Sequence, residues 1–154
     1  MPYASWGDRA LGYIIDSLFV FGVMIILYVV LGSFFFATVG ISRSEPAAGA
    51  LCCLSLILFP LSTLLVGLYN RVYLVSLRGY SIGQGVMKLK VVDAQGALLS
   101  QGTALIRLIV QAALGFVPLL PILDLLWPLW DPYRQTLHDK AVGCYVINNP
   151  DVRY

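Results

Sequence analysis

The stretch of residues 10–36, ALGYIIDSLFVFGVMIILYVVLGSFFF, runs 27 residues with Asp16 as its only charge. A helix needs about 20 apolar residues to cross the hydrocarbon core of a bilayer, so this one is long enough to span with tilt. A secretory leader has an apolar stretch of only about 7–15 residues followed by a small-residue cleavage site. The stretch here is longer and carries an acid, and it is read as a retained span. Ser5 with Asp8 three residues on resembles a capping box, which starts the helix near Trp6 and sets that indole at headgroup level.

Working outward, residues 42–46 form a polar link, and residues 47–69 form a second span without a single charge. Pro60, near its middle, cannot donate to the Leu56 carbonyl, so a kink is expected there. Ser55, Ser62, Thr63 or a neighbouring helix would satisfy the freed group. Residues 70–107 differ in character: Arg71, Arg78, Lys88, Lys90 and Arg107 stand against one acid, Asp93. That excess of cations marks a cytoplasmic loop. Inside it Leu89, Val91 and Val92 read as a strand, residues 93–96 as a turn and residues 97–99 as a short return. Residues 144–147 are a second β-like run. An isolated two-stranded unit is marginal in water, so the runs are expected to pair with each other against the membrane surface. Ser100 and Thr103 are candidate caps for a helix carrying Arg107.

Residues 108–130 are long enough to cross, yet Pro118, Pro121 and Pro128 divide them and Asp124 sits inside. Two readings compete. A third full span places Arg9 and the five loop cations inside, six in all, against Arg43, Arg134, Lys140 and Arg153 outside, four. A half-helix that turns at residues 117–121 and returns gives nine inside against one outside, so cation asymmetry favours a re-entrant hairpin. Non-helical backbone at that depth must be covered by protein, and Trp127 with Trp130 would anchor the return at the interface. The expected architecture is an all-α membrane protein forming one domain over residues 1–154. It has two transmembrane helices, a Pro-broken third hydrophobic segment, a small cytoplasmic β element, and a tail over residues 131–154 that is cytoplasmic like the N-terminus.

Composition agrees. The 154 residues are 59% hydrophobic and 12% charged, with mean hydropathy +0.83, where soluble domains have about 45–50% apolar and about 25% charged residues. Disorder is excluded, and a net charge of +2 scattered over the chain is no nucleic-acid footprint. Cys52, Cys53 and Cys144 make neither a disulfide framework nor a metal pattern and are read as small apolar fillers. No cofactor or metal is expected.

The polar residues that could carry function are few. An ionised carboxylate inside a span costs about 2.5–3.5 kcal/mol even on the milder insertion scale, so Asp16 needs a partner. Arg9 lies on nearly the same helical face, about 10 Å away along the axis. Arg107 is an alternative, and Ser62 and Thr63 are level with Asp16 as hydrogen-bond candidates. Asp16 is either a protonatable or cation-binding carboxylate or an ion-pair member that fixes helix packing. Asp124 has the same ambiguity, with Arg107 or Arg134 as partner. His138 and Asp139 lack a nucleophile motif, which makes Asp139 a cap or a partner for Arg134, Lys140 or another cytoplasmic cation, and leaves His138 a pH-sensing role as the alternative. Gly83-Gln84-Gly85 lacks the remaining glycines and βαβ context of a phosphate loop and is read as a turn.

Arg9, Asp16, the stretch Tyr80-Ser81-Ile82-Gly83-Gln84-Gly85 leading into Leu89-Lys90-Val91-Val92-Asp93, then Arg107 and Thr136-Leu137-His138-Asp139-Lys140 before Gly143 together resemble the RDD family of small bacterial membrane proteins. The family is named for one arginine and two aspartates, which the resemblance matches to Arg9, Asp16 and Asp139. It commonly has Lys where this chain has Gln84, and Thr where it has Cys144. The resemblance implies transport of unidentified ligands, cation/proton exchange, or association with larger membrane systems, bacterial lipid importers of the mammalian-cell-entry type among them.

Chain length bears on function too, because midplane transport sites are usually built between repeats or bundles of several helices. The expectation is an accessory or stabilising subunit, not an enzyme, docked on other integral membrane subunits of a bacterial inner-membrane complex. A transporter, and among transporters a lipid importer, is the leading host. The alternative is a homo-oligomeric ion or small-solute transporter in which Asp16 titrates.

Overall fold

The computed structural model describes residues 2–42 and 45–149. Arg43 and Ser44 of the expected link, Arg153 of the tail, and the side chain of Cys52 lie outside the described residues. The chain is mostly helical. Its elements are α1 (Trp6–Ser42), α2 (Glu45–Leu68), a π-helical turn (Tyr69–Tyr73), α3 (Leu74–Arg78), α4 (Ile82–Val86), β1 (Leu89–Val92), α5 (Gln101–Gly115), α6 (Leu120–Leu126), a 3-10 turn (Trp127–Leu129), α7 (Leu137–Val142) and β2 (Tyr145–Asn148). Two helical runs, Trp6–Phe34 and Cys53–Arg78, are long and apolar enough to cross a membrane, with hydropathies of 2.7 and 1.8.

The chain divides into two compact units, one from the described residues of Met1–Ser17 and Leu68–Tyr154, the other Leu18–Gly67. Leu18–Gly67 is built from apolar helix, and its large side chains are mostly exposed, Phe21, Ile26, Tyr28, Leu56 and Ile57 among them. Its hydroxyls turn inward to helix backbone: Ser33 donates to the Val29 carbonyl at 2.7 Å, and Ser62 and Thr63 reach the Phe59 carbonyl at 2.8 and 3.0 Å beside the sulfur of buried Met24. This corrects the expectation that Ser62 or Thr63 serves Leu56. A hydroxyl on a helix reaches the carbonyl three or four residues back, and Leu56 lies six and seven back. The α2 helix runs on through Pro60.

The other unit has a small apolar core of Ala4, Val75, Leu89, Val91, Leu99, Cys144 and Val146. The two expected β runs do pair, antiparallel, with Leu89 opposite Asn148 and Val92 opposite Tyr145. The chain start adds a bridge from Tyr3 to Ile147, and the Ala4 amide donates to the Val146 carbonyl at 3.0 Å. Residues 97–99 are not a strand, which corrects the expected return. Asp93 accepts from the Gln95 and Ala97 amides and Gly96 has φ +84°, so the chain turns there without a ladder. Leu99 then packs into the core and Ser100 caps α5, accepting from the Thr103 amide at 3.1 Å. At the other end, the Ser5 hydroxyl accepts from the Asp8 amide at 3.1 Å and bonds the Asp8 carboxylate at 2.7 Å, fixing the start of α1.

Helix α5 ends at Gly115 and α6 begins at Leu120, whose preceding residue Leu119 has φ +71° with Pro121 close behind. The Trp6 indole donates to the Leu125 carbonyl at 2.9 Å, joining the first turn of α1 to α6. The turn expected around Gly83-Gln84-Gly85 is a helical one, residues 82–86. Ser81 and Gln84 form a full capping box around its start. Gly83 lies against α1: a Cβ there would fall 2.0 Å from the Gly12 carbonyl oxygen and 2.8 Å from the Asp16 amide. Neither backbone atom can rotate away, so Gly83→Ala forces α4 off α1. Overpacking of this kind costs about 1–3 kcal/mol. Thermal unfolding of the full chain in mild detergent should therefore show a clear loss of midpoint for Gly83→Ala and a smaller one for Gly12→Ala, whose added Cβ would meet nothing nearer than 3.5 Å. Equal effects would refute the close crossing.

Candidate functional site

Helix α7 opens with Thr136 accepting from the Asp139 amide at 3.2 Å while the Asp139 carboxylate faces the Thr136 amide at 3.4 Å, a capping box. Leu137 and the short helix behind it fix Asp139 fully inside the protein. Two arginines converge on that carboxylate. Arg9 Nη1, from the first turns of α1, lies 2.8 Å from Oδ2. Arg107 Nε and Nη2, from α5, both lie 2.8 Å from Oδ1. The Cys144 thiol, on the approach to β2, donates to the same Oδ1 at 3.4 Å.

Burial alone would raise the Asp139 pKa, but Arg107, His138 and Arg9 outweigh it and hold the carboxyl well below the usual carboxylate range. For Arg107 the order is the same: burial opposes the charged guanidinium, and Asp139 reverses this and leaves its pKa raised. Burial and the Asp139 charge push the Cys144 thiol up to about 12, so it remains a neutral donor. The two arginines and one aspartate leave a net single positive charge, and a second acid stands nearby.

That acid is Asp124 on α6. Its Oδ1 accepts from the His138 amide at 3.0 Å and its Oδ2 lies 2.7 Å from His138 Nδ1. The other ring nitrogen, Nε2, is 3.2 Å from the Thr136 hydroxyl and 3.5 Å from Asp139 Oδ1. The ring thus bridges Asp124, Thr136 and Asp139. Arg9 and Arg107 are thereby set beside two carboxylates, Asp139 and, through His138, Asp124. The expected partners of Asp124, Arg107 or Arg134, are corrected to His138. Arg107 is committed to Asp139, and Arg134 is exposed with φ +52°. The expectation for Asp139 is likewise refined: it is a cap, and its cations are Arg9 and Arg107. Lys140 pairs with Asp131 at 2.5 Å instead.

Asp16 belongs to a different cluster. Asn70 Nδ2 and the Gly83 amide donate to its Oδ1 at 2.8 and 2.7 Å, and the Ser81 hydroxyl donates to Oδ2 at 2.6 Å. Asn70 in turn accepts from the Ile82 amide at 2.9 Å. None of the partners expected from sequence, Arg9, Arg107, Ser62 or Thr63, is bonded to it. Three neutral donors, two at the start of α4 and Asn70 from the π-helical turn, replace a counter-charge, because the capped turn already presents its free amide and hydroxyl there. The sequence marks Asn70 only weakly, as one amide at the end of an apolar run. The π-helical turn that carries it inserts the extra residue that swings this side chain inward, and such turns often mark functional positions.

These residues give the site its family. The sequence model of the RDD family matches residues 3–143. The chain belongs to the RDD family. No curated protein and no solved structure matches it. With two apolar helices long enough to span, this RDD protein is a membrane protein. Of the three residues matched to the family's name, two meet in one ion network, Arg9 with Asp139, and the third, Asp16, anchors α4 against α1.

Removing the Asp139 charge strands two buried guanidinium groups. Asp139→Asn should destabilise the RDD protein by about 3–5 kcal/mol, the range for breaking a buried ion pair. The pH dependence has a definite sign. With its pKa depressed in the fold, Asp139 contributes its full stabilisation above about pH 4 and loses it as pH falls toward its folded value. Unfolding midpoints followed from pH 7 to pH 3 should drop at the acid end for the native chain and drop less for Asp139→Asn. Parallel curves would contradict this role.

Proposed function

We propose that this RDD protein is a non-enzymatic accessory subunit that docks on, and stabilises, a larger membrane complex, with a bacterial inner-membrane transporter as the leading host and lipid import as the leading cargo class. One observation carries the reading. In the spanning runs Trp6–Phe34 and Cys53–Arg78 only 11% and 6% of the most apolar window is buried within the chain. Helices so exposed offer wide apolar faces to lipid or to other helices, and two of them do not enclose a path. The bonding of Asp16 supports the same view over the alternative of a homo-oligomeric exchanger. Three donors occupy its oxygens, which suits a carboxylate that fixes packing more than one that exchanges ions.

Within this proposal α5 and α6 form a re-entrant hairpin turning at residues 116–119, and both chain ends face the cytoplasm. The break of helix between Gly115 and Leu120 and the cation asymmetry support it. A cysteine appended after Tyr154 should stay unlabelled by an impermeant maleimide on intact cells, measured against the unaltered chain. Labelling from outside would remove the hairpin.

The partner reading is tested by purifying the tagged full chain from its native membrane in mild detergent. Reproducible recovery of a larger set of integral membrane subunits is expected. Recovery as a discrete homo-oligomer alone would overturn the subunit reading.

A further inference from the structure

A cavity of about 370 Å³ lies beside the ion network and is walled by residues of Met1–Ser17 and Leu68–Tyr154. Three arginines border it: Arg9, Arg71 and Arg107. Arg107 is spent on Asp139. Arg9 uses one nitrogen on Asp139, and its Nε and Nη2 are buried without a hydrogen-bond partner among the described residues, on a side chain only 10% exposed. A buried guanidinium with two idle donors is costly unless something accepts from it. Arg71 has a neutral setting. Its Nη1 donates to Gln111 Oε1 at 2.7 Å and its guanidinium carbon stands 4.9 Å from the centre of the Tyr13 ring. No carboxylate within ion-pair distance of Arg71 exists among the described residues.

Two glutamine amides on the wall also offer donors. Gln84 uses its Oε1 to accept from the Ser81 amide, and Gln111 uses its Oε1 for Arg71, which leaves an amide NH2 on each. Two carboxylates border the cavity, Asp16 and Asp124, and both turn their oxygens to protein donors, Asp16 to Asn70, Ser81 and Gly83, Asp124 to His138. Ser81, Thr136 and His138 on the wall are bonded within the protein, and the rest is largely apolar, Trp6, Ile122 and Leu125 among it. Ile122 and Leu125 are exposed, as are Phe116 and Leu119 beside them.

We propose that this cavity is a binding site for a phosphate group, held by Arg9 and Arg71 with the amides of Gln84 and Gln111. Forked guanidinium groups match the oxygens of phosphate and carboxylate alike. Two forks and two amides around one space suit a tetrahedral oxyanion with three free oxygens better than a planar carboxylate, which a single fork saturates. The volume stands at the small end of the range for ligand pockets, about 300–1,000 Å³. It holds a headgroup and leaves any acyl chains outside, along the exposed α6 face. The phosphate is either that of a lipid headgroup or free phosphate. The inference is independent of whether the chain has protein partners.

The test uses the full chain in an uncharged mild detergent. Inorganic phosphate, dioleoyl phosphatidylglycerol and phosphate-free dioleoylglycerol are titrated separately while the unfolding midpoint is followed, and native mass spectrometry counts retained lipid. A saturable upward shift with a phosphate-bearing probe and none with dioleoylglycerol is expected. A response to phosphatidylglycerol alone identifies a lipid headgroup, and an equal response to inorganic phosphate identifies the free ion. Arg71→Gln should weaken the apparent affinity at least tenfold and Arg71→Lys less. Gln84→Glu is the second variant, since it keeps the acceptor for the Ser81 amide but adds a negative charge to the wall, and it should also weaken binding. No saturable response to either phosphate probe, or unchanged affinity in Arg71→Gln and Gln84→Glu, overturns the proposal.

Discussion

Asp139 is a carboxylate with no exposed surface, placed between Arg9 from the start of α1 and Arg107 from α5. Three elements far apart in sequence meet at this one group. Each charge in the set would be expensive to bury alone, and the pairing holds only if all three elements arrive together. The same residue caps α7, so the helix that orients the carboxylate is itself fixed by it. His138 then ties this group to Asp124 on α6. The ion network therefore does for the polar end of the protein what apolar packing does in an ordinary core, and it selects one arrangement of short helices that would be marginal by themselves.

Asp16 solves a neighbouring problem by different means. Among the described residues no cation is bonded to it. A capped turn of helix supplies an amide and a hydroxyl, and Asn70 supplies a third donor from the π-helical turn. This requires α4 to touch the backbone of α1, which Gly83 permits and any side chain there would prevent. The glycine-rich stretch is thus a packing device and a hydrogen-bond donor at once, and Gln84 suits it because the carbonyl of its amide completes the cap.

Much of the scaffold is legible in the sequence because it depends on local chemistry. The two spans follow from long runs of apolar residues, and the start of α1 at Trp6 from Ser5 and Asp8. The pairing of residues 89–92 with 145–148 follows from alternation and from the weakness of either strand alone. The family resemblance rested on short motifs whose order is preserved, and the family match over residues 3–143 agrees. The polar partners were legible only as a set. Arg9, Asp16, Arg107, Asp124, His138 and Asp139 all end in one of two buried clusters, yet nearly every pairing drawn from helical spacing was different in the fold.

By itself the sequence determined that its two long apolar runs suit a bilayer, since the transfer free energy of a 27-residue run with one charge depends on composition and length and not on neighbours. It also determined that the rare acids must be compensated, because an uncompensated buried charge is too costly to keep. Which group compensates which acid was decided by the tertiary structure. Hydrogen bonds and ion pairs need atoms within about 3 Å, and distances of that size between residues 9, 107 and 139, or 16, 70 and 83, are set by how helices cross. Single-residue features control those crossings: a π-helical turn that rotates Asn70 inward, a glycine that lets α4 touch α1, and left-handed Leu119 between α5 and α6.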